Sequence, residues 1–225
     1  LVTGGSEGIG LSIGRALAAQ GGRVALMARN ADRLRRAAED IGALVVPGDV
    51  SRETDAVSAV ATVVETFGGI DVLVNNAGIG YFAPIAEMDT EKFNRVFAVN
   101  VTGAMFMTRA AVPHFLRQKS GNIVNISSTS GLKGGARSTA YAASKFALRG
   151  MTECWRDELR RYDIRVMLIN PSEVVTRFAE SAGFTQEPSP KKLRGEEIAH
   201  AVVSVLAMDG RGFIPELAVF ATNPF

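Results

Sequence analysis

Tyr141 and Lys145 are four residues apart. On a helix that spacing puts both side chains on one face. An ammonium beside a phenol favours the phenolate and lowers its pKa from the usual value of about 10. A tyrosine tuned in this way gives a proton to a carbonyl oxygen near neutral pH and takes it back in the reverse direction. Alone, the pair fits two ordinary helix-surface residues equally well. Ser128 stands thirteen residues earlier, just after a short apolar run. A serine at the carboxyl end of a parallel strand points into the crevice where ligands bind. Asn100 lies inside a long stretch of helical composition. Asparagine is a mediocre mid-helix residue, so its position there calls for a reason.

A second group of residues suits phosphate. Thr3, Gly4, Gly5, Ser6, Glu7, Gly8, Ile9 and Gly10 fall between the end of one strand and the start of a helix. Glycines allow a tight turn and a close approach of backbone to ligand. The helix that follows aims its free N–H groups and positive dipole end at the same point. The spacing is GxxxGxG rather than GxGxxG, and a glycine pattern gains weight only from the strand before it and the helix after it.

The elements that must hold these groups alternate. Apolar runs at 24–28, 43–46, 72–74, 122–126 and 165–169 are too short for helices and rich in Val and Ile. Between them, 9–20, 30–41, 54–67, 90–118, 139–162 and 196–208 have helix length. A further strand is expected at 216–221. The pattern predicts an α/β fold: a Rossmann-type doubly wound three-layer αβα sandwich around a central parallel sheet. Residues 1–225 are expected to form a single domain, with no repeat, linker or low-complexity tract. One irregular stretch, 178–194, contains Gly183, Pro188 and Pro190, with Lys191 and Lys192 near its end. A loop of that length in a compact domain is usually a lid or a binding loop.

Composition removes several alternatives. The 225 residues are 47% hydrophobic with a formal net charge of +2, which excludes a disordered chain and argues against a nucleic-acid binder. With three Tyr and one Trp there is little for bases to stack on. The single cysteine, Cys154, excludes an internal disulfide, and with only His114 and His200 beside it no metal site is expected. A reducing, cytoplasmic compartment follows as the default expectation. No apolar run reaches about 18 residues, so no membrane span is expected. No signal peptide is visible, but the chain opens at Leu1 where a first strand would already be ending, so residues are expected upstream.

Gly4, Gly8 and Gly10 of the cradle, then Asp49-Val50, Asn75-Asn76-Ala77-Gly78, Asn100, Ser128, Tyr141 with Lys145, and Asn170-Pro171-Ser172 follow in an order and spacing that resemble the short-chain dehydrogenase/reductase family. The resemblance runs to about residue 177. It implies a catalytic set of Asn100, Ser128, Tyr141 and Lys145. Ser128 would bond and polarise the substrate carbonyl, Lys145 would also bond the nicotinamide ribose, and Asn100 would hold a water that links Lys145 to solvent. It further implies a dinucleotide held by Gly4, Ser6, Glu7, Gly8, Ile9 and Gly10 at the pyrophosphate. Asp49 and Val50 would contact adenine, and Asn76, Ala77 and Gly78 would lie near the adenosine. Pro171, Ser172, Val174 and Thr176 would stand at the nicotinamide carboxamide. Ser172 replaces the family's glycine, and the C-terminal segment departs from many members, resembling a 3-oxoacyl-carrier-protein reductase-like subgroup.

Ala28 stands where NAD-selective members carry an acid, and Arg29 follows it. A carboxylate there repels a 2′-phosphate, whereas a guanidinium binds one in a bidentate fork. The cofactor implied is NADP(H). Arg33, Arg35 and Arg36 read as an ordinary solvated helix face. The resemblance thus implies an NADPH-dependent carbonyl reductase or alcohol dehydrogenase acting on a small-molecule ketone or aldehyde, a 3-oxoacyl thioester among them. Gly80, Tyr81, Phe82 and Phe178 are expected to shape its substrate pocket. Lys191, Lys192 and Arg194 fit either an anionic carrier or a solvated loop. A homodimer or homotetramer is implied, paired through the helices at 100–118 and 141–162. The alternative is a non-catalytic dinucleotide-binding regulatory or scaffold protein, which has no use for a tuned tyrosine.

Overall fold

The computed structural model describes residues 1–183, 185 and 189–223. Among these residues seven strands form one parallel sheet: β1 (Val2–Thr3), β2 (Ala25–Ala28), β3 (Leu44–Pro47), β4 (Val72–Asn75), β5 (Gly121–Ile126), β6 (Ile164–Pro171) and β7 (Glu216–Val219). Their order is β3-β2-β1-β4-β5-β6-β7. The chain winds one way from β1 to β3 and the other way from β4 to β7. The reversal lies between β1 and β4, where the carboxyl ends of the strands leave a crevice. Register is in phase across the centre, with Val74 opposite both Val2 and Val124.

Among the described residues eight α-helices cover the sheet: α1 (Gly8–Ala19), α2 (Ala31–Glu39), α3 (Glu53–Phe67), α4 (Thr90–Phe97), α5 (Ala104–Gln118), α6 (Thr139–Leu159), α7 (Phe178–Ser181) and α8 (Gly195–Leu206). Successive strand residues feed opposite faces, as a period of two requires. Met27, Leu73, Ile123 and Val166 join Val60, Met107 and Phe115 on the side of α3 and α5. Leu26, Val74, Val124 and Met167 join Ile13, Leu34, Ile198 and Val202 on the side of α1, α2 and α8. Burying a side chain such as Phe115 fully stabilises the fold by about 1.5–3 kcal/mol relative to leaving it in water. Helix starts are set locally: Asn30 caps α2 by accepting from the Arg33 N–H, and Asp89 caps α4 by accepting from the Lys92 N–H, each at 2.9 Å. Gly68, with φ 79°, stops α3 in the left-handed conformation.

Two expectations change. The stretch Thr90–Gln118 is not one regular helix, because a π-helical turn at Ala98–Gly103 separates α4 from α5. That turn widens the helix at Asn100, a distortion found mostly at functional sites. As one continuous helical run, Thr90–Gln118 is also long and apolar enough to cross a membrane by length and composition. In this fold its Met107, Ala111 and Phe115 are fully buried against the sheet. Within 178–194 the described part holds the short helix α7, and Val174 bridges Leu193 in parallel, pinning the two ends of the loop together. Pro188 lies outside the described residues.

Candidate active site

The crevice is a cleft of about 890 Å³ running across the carboxyl ends of the strands. At one end is the cradle. Gly4 and Gly8 have φ of 66° and 55°, which a side chain adopts only under strain. A Cβ at Gly10 would run into the Gly4 carbonyl oxygen, so α1 comes closer to β1 than any other residue allows. The turn is tied to β4 through Thr3, whose hydroxyl accepts from the Asn76 and Ala77 N–H groups at 3.0 Å and donates to the Val74 carbonyl at 3.2 Å. Asn76 Nδ2 returns a bond to the Thr3 carbonyl at 2.9 Å. Glu7, at the N-cap of α1, makes no side-chain cap, which leaves the first-turn N–H groups to the cleft. Its carboxylate is drawn aside by Arg33 at 2.8 Å and Arg177 at 3.9 Å.

Arg29 stands exposed at the end of β2 and, among the described residues, has no carboxylate partner. Arg33 was expected on a solvated face. It instead lines the cleft, because the first turn of α2 points back toward Glu7. Arg35 does lie on the solvated face, paired with Asp32 at 2.7 Å. Asp49 lines the cleft but is already engaged: Arg95 donates to it at 2.8 Å, and the Ser51 hydroxyl and N–H at 2.7 and 3.0 Å. Burial alone would raise its pKa; the hydrogen bonds from Arg95 and Ser51 and the guanidinium charge outweigh it and hold the carboxyl at about 2.

At the other end Ser128 and Tyr141 meet. Ser128 Oγ accepts from the Ser130 N–H at 3.1 Å and stands beside the Tyr141 hydroxyl, whose ionised form it favours. Burial pushes Tyr141 up to about 12, with the neighbouring Ser128 hydroxyl pulling the other way. The lowering expected from Lys145 is therefore overturned for the protein alone. The Lys145 ammonium lies 5.6 Å from the centre of the Tyr141 ring and donates to the Ile126 carbonyl at 2.9 Å. Its own burial, at 4% exposure, brings it down to about 8. Gly78 lies against both groups: a Cβ there would be 3.6 Å from Lys145 Nζ and 3.4 Å from Asn100 Oδ1, ordinary contact distances.

Asn100 is buried behind this group. Its Oδ1 accepts from the Ile79 N–H at 2.9 Å, and its Nδ2 donates to the Ile79 carbonyl at 2.9 Å and to Ser144 Oγ at 3.0 Å. Ser144 donates in turn to the Tyr141 carbonyl at 2.7 Å. Sequence reasoning gave Ser144 no role, named Thr3 only as part of the cradle and set Arg33 on a solvated face. Ser144 shares the Tyr141–Lys145 turn, so its spacing was a signal, but its partner came from another element.

Ser172, in place of a glycine, keeps the ladder going, its N–H donating to the Val219 carbonyl at 2.8 Å. Pro171, Ser172, Val174 and Thr176 line the cleft, as do Ser6, Ile9, Val50, Ala77 and Gly78. Phe82 and Phe178 flank the Tyr141 ring, with centres 5.5 and 5.4 Å away. Tyr81, expected in the pocket, is turned to Glu87 and Asp89, whose backbone it bonds at 3.4 and 3.0 Å. Among the described residues no group of three His, Cys, Asp or Glu is placed to hold a metal.

A sequence profile described as short chain dehydrogenase matches residues 1–187. An uncharacterized oxidoreductase of Staphylococcus epidermidis is 33% identical over 221 residues, covering 97% of this chain and 95% of the relative. An alcohol dehydrogenase from the archaeon Thermococcus sibiricus, solved with 5-hydroxy-NADP, superposes with a TM-score of 0.89 at 31% identity, over 98% of this chain and 95% of that one. A 3-ketoacyl-(acyl-carrier-protein) reductase from Brucella melitensis, solved with NADH, superposes with a TM-score of 0.92 at 29% identity, over the same shares.

Proposed function

Since the chain belongs to the short chain dehydrogenase family, we propose that it is an NADPH-dependent carbonyl reductase, or in reverse an alcohol dehydrogenase. The observation that carries this reading is that Ser128, Tyr141 and Lys145 line the same cleft as the phosphate cradle, with the Lys145 ammonium 5.6 Å from the centre of the Tyr141 ring. Two hydroxyls lining one cleft can both donate to a carbonyl oxygen placed between them.

The cleft fits a dinucleotide. The cradle that a Cβ at Gly10 would close and the uncapped start of α1 suit a pyrophosphate. Arg29, free of a carboxylate among the described residues, suits a 2′-phosphate. Bound in this cleft, the reduced nicotinamide supplies a hydride. As negative charge builds on the substrate oxygen, Ser128 holds it and Tyr141 donates its proton. The Lys145 ammonium stabilises the resulting phenolate, which eases the loss of a proton that burial otherwise makes difficult. Asn100 spends its carboxamide on Ile79 and Ser144. A water that refills the proton would then be held by its main-chain carbonyl, which belongs to the π-helical turn.

In this reading residues 1–225 act as one domain in the cytoplasm. A homodimer or homotetramer pairs through α5 and α6, where Leu116 and Phe146 are exposed. The test is NADPH oxidation against a panel of ketones and aldehydes, run beside Tyr141→Phe. Carbonyl-dependent oxidation that the variant loses supports the reductase. NADPH binding without turnover on any carbonyl supports the scaffold alternative instead.

A further inference from the structure

Asp49, just past the end of β3, is fastened at both of its backbone polar groups. Its N–H donates to Asp55 Oδ2 at 2.9 Å, and its carbonyl accepts from the Arg52 N–H at 2.9 Å. The Gly48 N–H before it donates to the Ala28 carbonyl at 3.1 Å, which ties the turn to β2. The side chain is held as firmly. Oδ1 accepts twice from Ser51, from the hydroxyl at 2.7 Å and the N–H at 3.0 Å. Arg95, in the last turn of α4, completes the arrangement. Its Nη2 donates to Asp49 Oδ2 at 2.8 Å and its Nη1 to Ser51 Oγ at 2.7 Å. Guanidinium, hydroxyl and carboxylate close a ring of three hydrogen bonds.

An ionised carboxylate offers about four acceptor positions. Three are taken here, and the one left belongs to Oδ2, the oxygen that Arg95 holds. Asp49 lines the cleft, and beyond it a hollow of about 430 Å³ is lined by Arg29, Ser51 and Arg95. The Arg95 side chain is 41% exposed and that of Asp49 20%, so the pair adds little to stability. What it adds is direction: without the guanidinium fork, only the Ser51 side of the carboxylate is held. The same bonds keep the carboxyl ionised far below neutral pH, so it accepts and never donates. An acceptor fixed in this way suits an N–H group on a ligand ring. It works against a carbonyl oxygen at the same place, where lone pairs face each other.

We propose that Arg95 is a positioning residue that sets Asp49 as the acceptor for the amino group of the cofactor's adenine, so that the cleft selects an adenine dinucleotide over its hypoxanthine analogue. The proposal rests on the dinucleotide part of the reading above. The two bases share ring and shape and differ at this position, an amino group in one and a carbonyl in the other.

The test titrates the full chain with NADPH and with its hypoxanthine analogue, following nicotinamide fluorescence, so that binding is read without turnover. Wild type should bind NADPH at least about tenfold more tightly than the analogue. Arg95→Met keeps the aliphatic stem and removes the fork. It should weaken NADPH about fivefold and the analogue less than twofold, while Tm stays within about 2 °C of wild type. Arg95→Lys, which keeps one charged donor, should recover part of the preference, and it carries the comparison if Arg95→Met does not fold. A wild type that binds both dinucleotides alike overturns the proposal. So does a variant that weakens both by the same factor, which would make Arg95 a staple between α4 and the end of β3. Either result leaves the reductase reading to the carbonyl panel. If wild type binds neither dinucleotide, the dinucleotide reading falls and takes the proposal with it.

Discussion

Asn100 and Ile79 form a two-point pair: the carboxamide accepts from the Ile79 N–H and donates to the Ile79 carbonyl, each at 2.9 Å. The same nitrogen reaches Ser144, which reaches the Tyr141 carbonyl. One side chain therefore fixes the loop after β4 and the helical turn that carries the tyrosine. The π-helical turn aims it inward, where a regular helix would have kept the 90–118 face in phase.

Asn100→Ala should cost stability and activity by different routes. Removing the carboxamide leaves the Ile79 N–H and carbonyl without this partner, about 1–3 kcal/mol. Calorimetry should show that as a lower Tm. The kcat should fall at least about tenfold, because Tyr141 and Lys145 lose their register. The telling readout is the pH–rate profile of the variant. If Asn100 positions the proton path, the profile shifts; if it only stabilises the fold, the profile keeps its shape.

The pH dependence of stability should bear the mark of Lys145. Burial takes it from the ordinary 10.5 to about 8. Between those values the unfolded chain holds a proton that the folded protein has lost, so stability rises with pH across about 8 to 10.5. The effect is on the order of 3 kcal/mol. Tyr141 works in the opposite sense. Raised from 10 to about 12 by burial, it keeps a proton that the unfolded chain releases, so stability falls from about 10 to 12. Urea midpoints against pH, in wild type and Lys145→Met, separate the two. The variant should be more stable at pH 7, lack the alkaline rise and be inactive. In the wild type, carbonyl reduction should decline above about pH 8 as Lys145 loses its charge.

Much of this site was legible before any coordinates, for a physical reason. Parallel strands bring their carboxyl ends to one edge, so residues that follow short apolar runs (Asp49, Asn76, Ser128, Pro171) must gather there. Tyr141 and Lys145 needed only helical periodicity. What escaped depended on distant partners. Arg33 reads as one of several arginines on a polar helix until Glu7 is seen beside it. The π-helical turn at Ala98–Gly103 leaves no signature in residues that also suit a regular helix. The direction of the Tyr141 shift was misread because the four-residue spacing suggests a charge nearby but says nothing of how far either group is taken out of water.

Arg29 should decide between the two nicotinamide cofactors. Losing a charge-assisted bond to a phosphate costs about 1.5–3 kcal/mol, or roughly 10–100-fold in affinity. Arg29→Ala should raise the KM for NADPH by that factor and leave the KM for NADH nearly unchanged. Arg33→Ala should have a smaller effect, because Glu7 already claims that guanidinium. Paired steady-state kinetics with both cofactors decide it, and an equal rise for NADH would remove Arg29 from the 2′-phosphate.

The floor of the site rests on a buried polar chain across four elements. Asn75 Nδ2 donates to Asn125 Oδ1 at 2.9 Å and to Thr108 Oγ1 at 3.0 Å. Asn125 Nδ2 donates to Thr152 Oγ1 at 2.8 Å, and Thr152 donates to the Leu148 carbonyl at 2.7 Å. β4, β5, α5 and α6 are thereby fastened at one depth, directly under Tyr141 and Lys145 in chain order along α6. Asn125 is fully buried, so Asn125→Ala leaves the Thr152 hydroxyl and the Asn75 amide short of a partner with no water to replace it. The expected cost is about 1–3 kcal/mol, with Tm falling by about 2–4 °C for each kcal/mol in a chain of this size. Replacing the network in one step, Asn75→Leu with Asn125→Leu, removes both ends of the central bond together. If the network serves stability alone, the double variant recovers much of the loss seen in Asn125→Ala. If it also sets the register of α6, the recovered protein should still show a lowered kcat, read by thermal unfolding and kinetics on the same preparation.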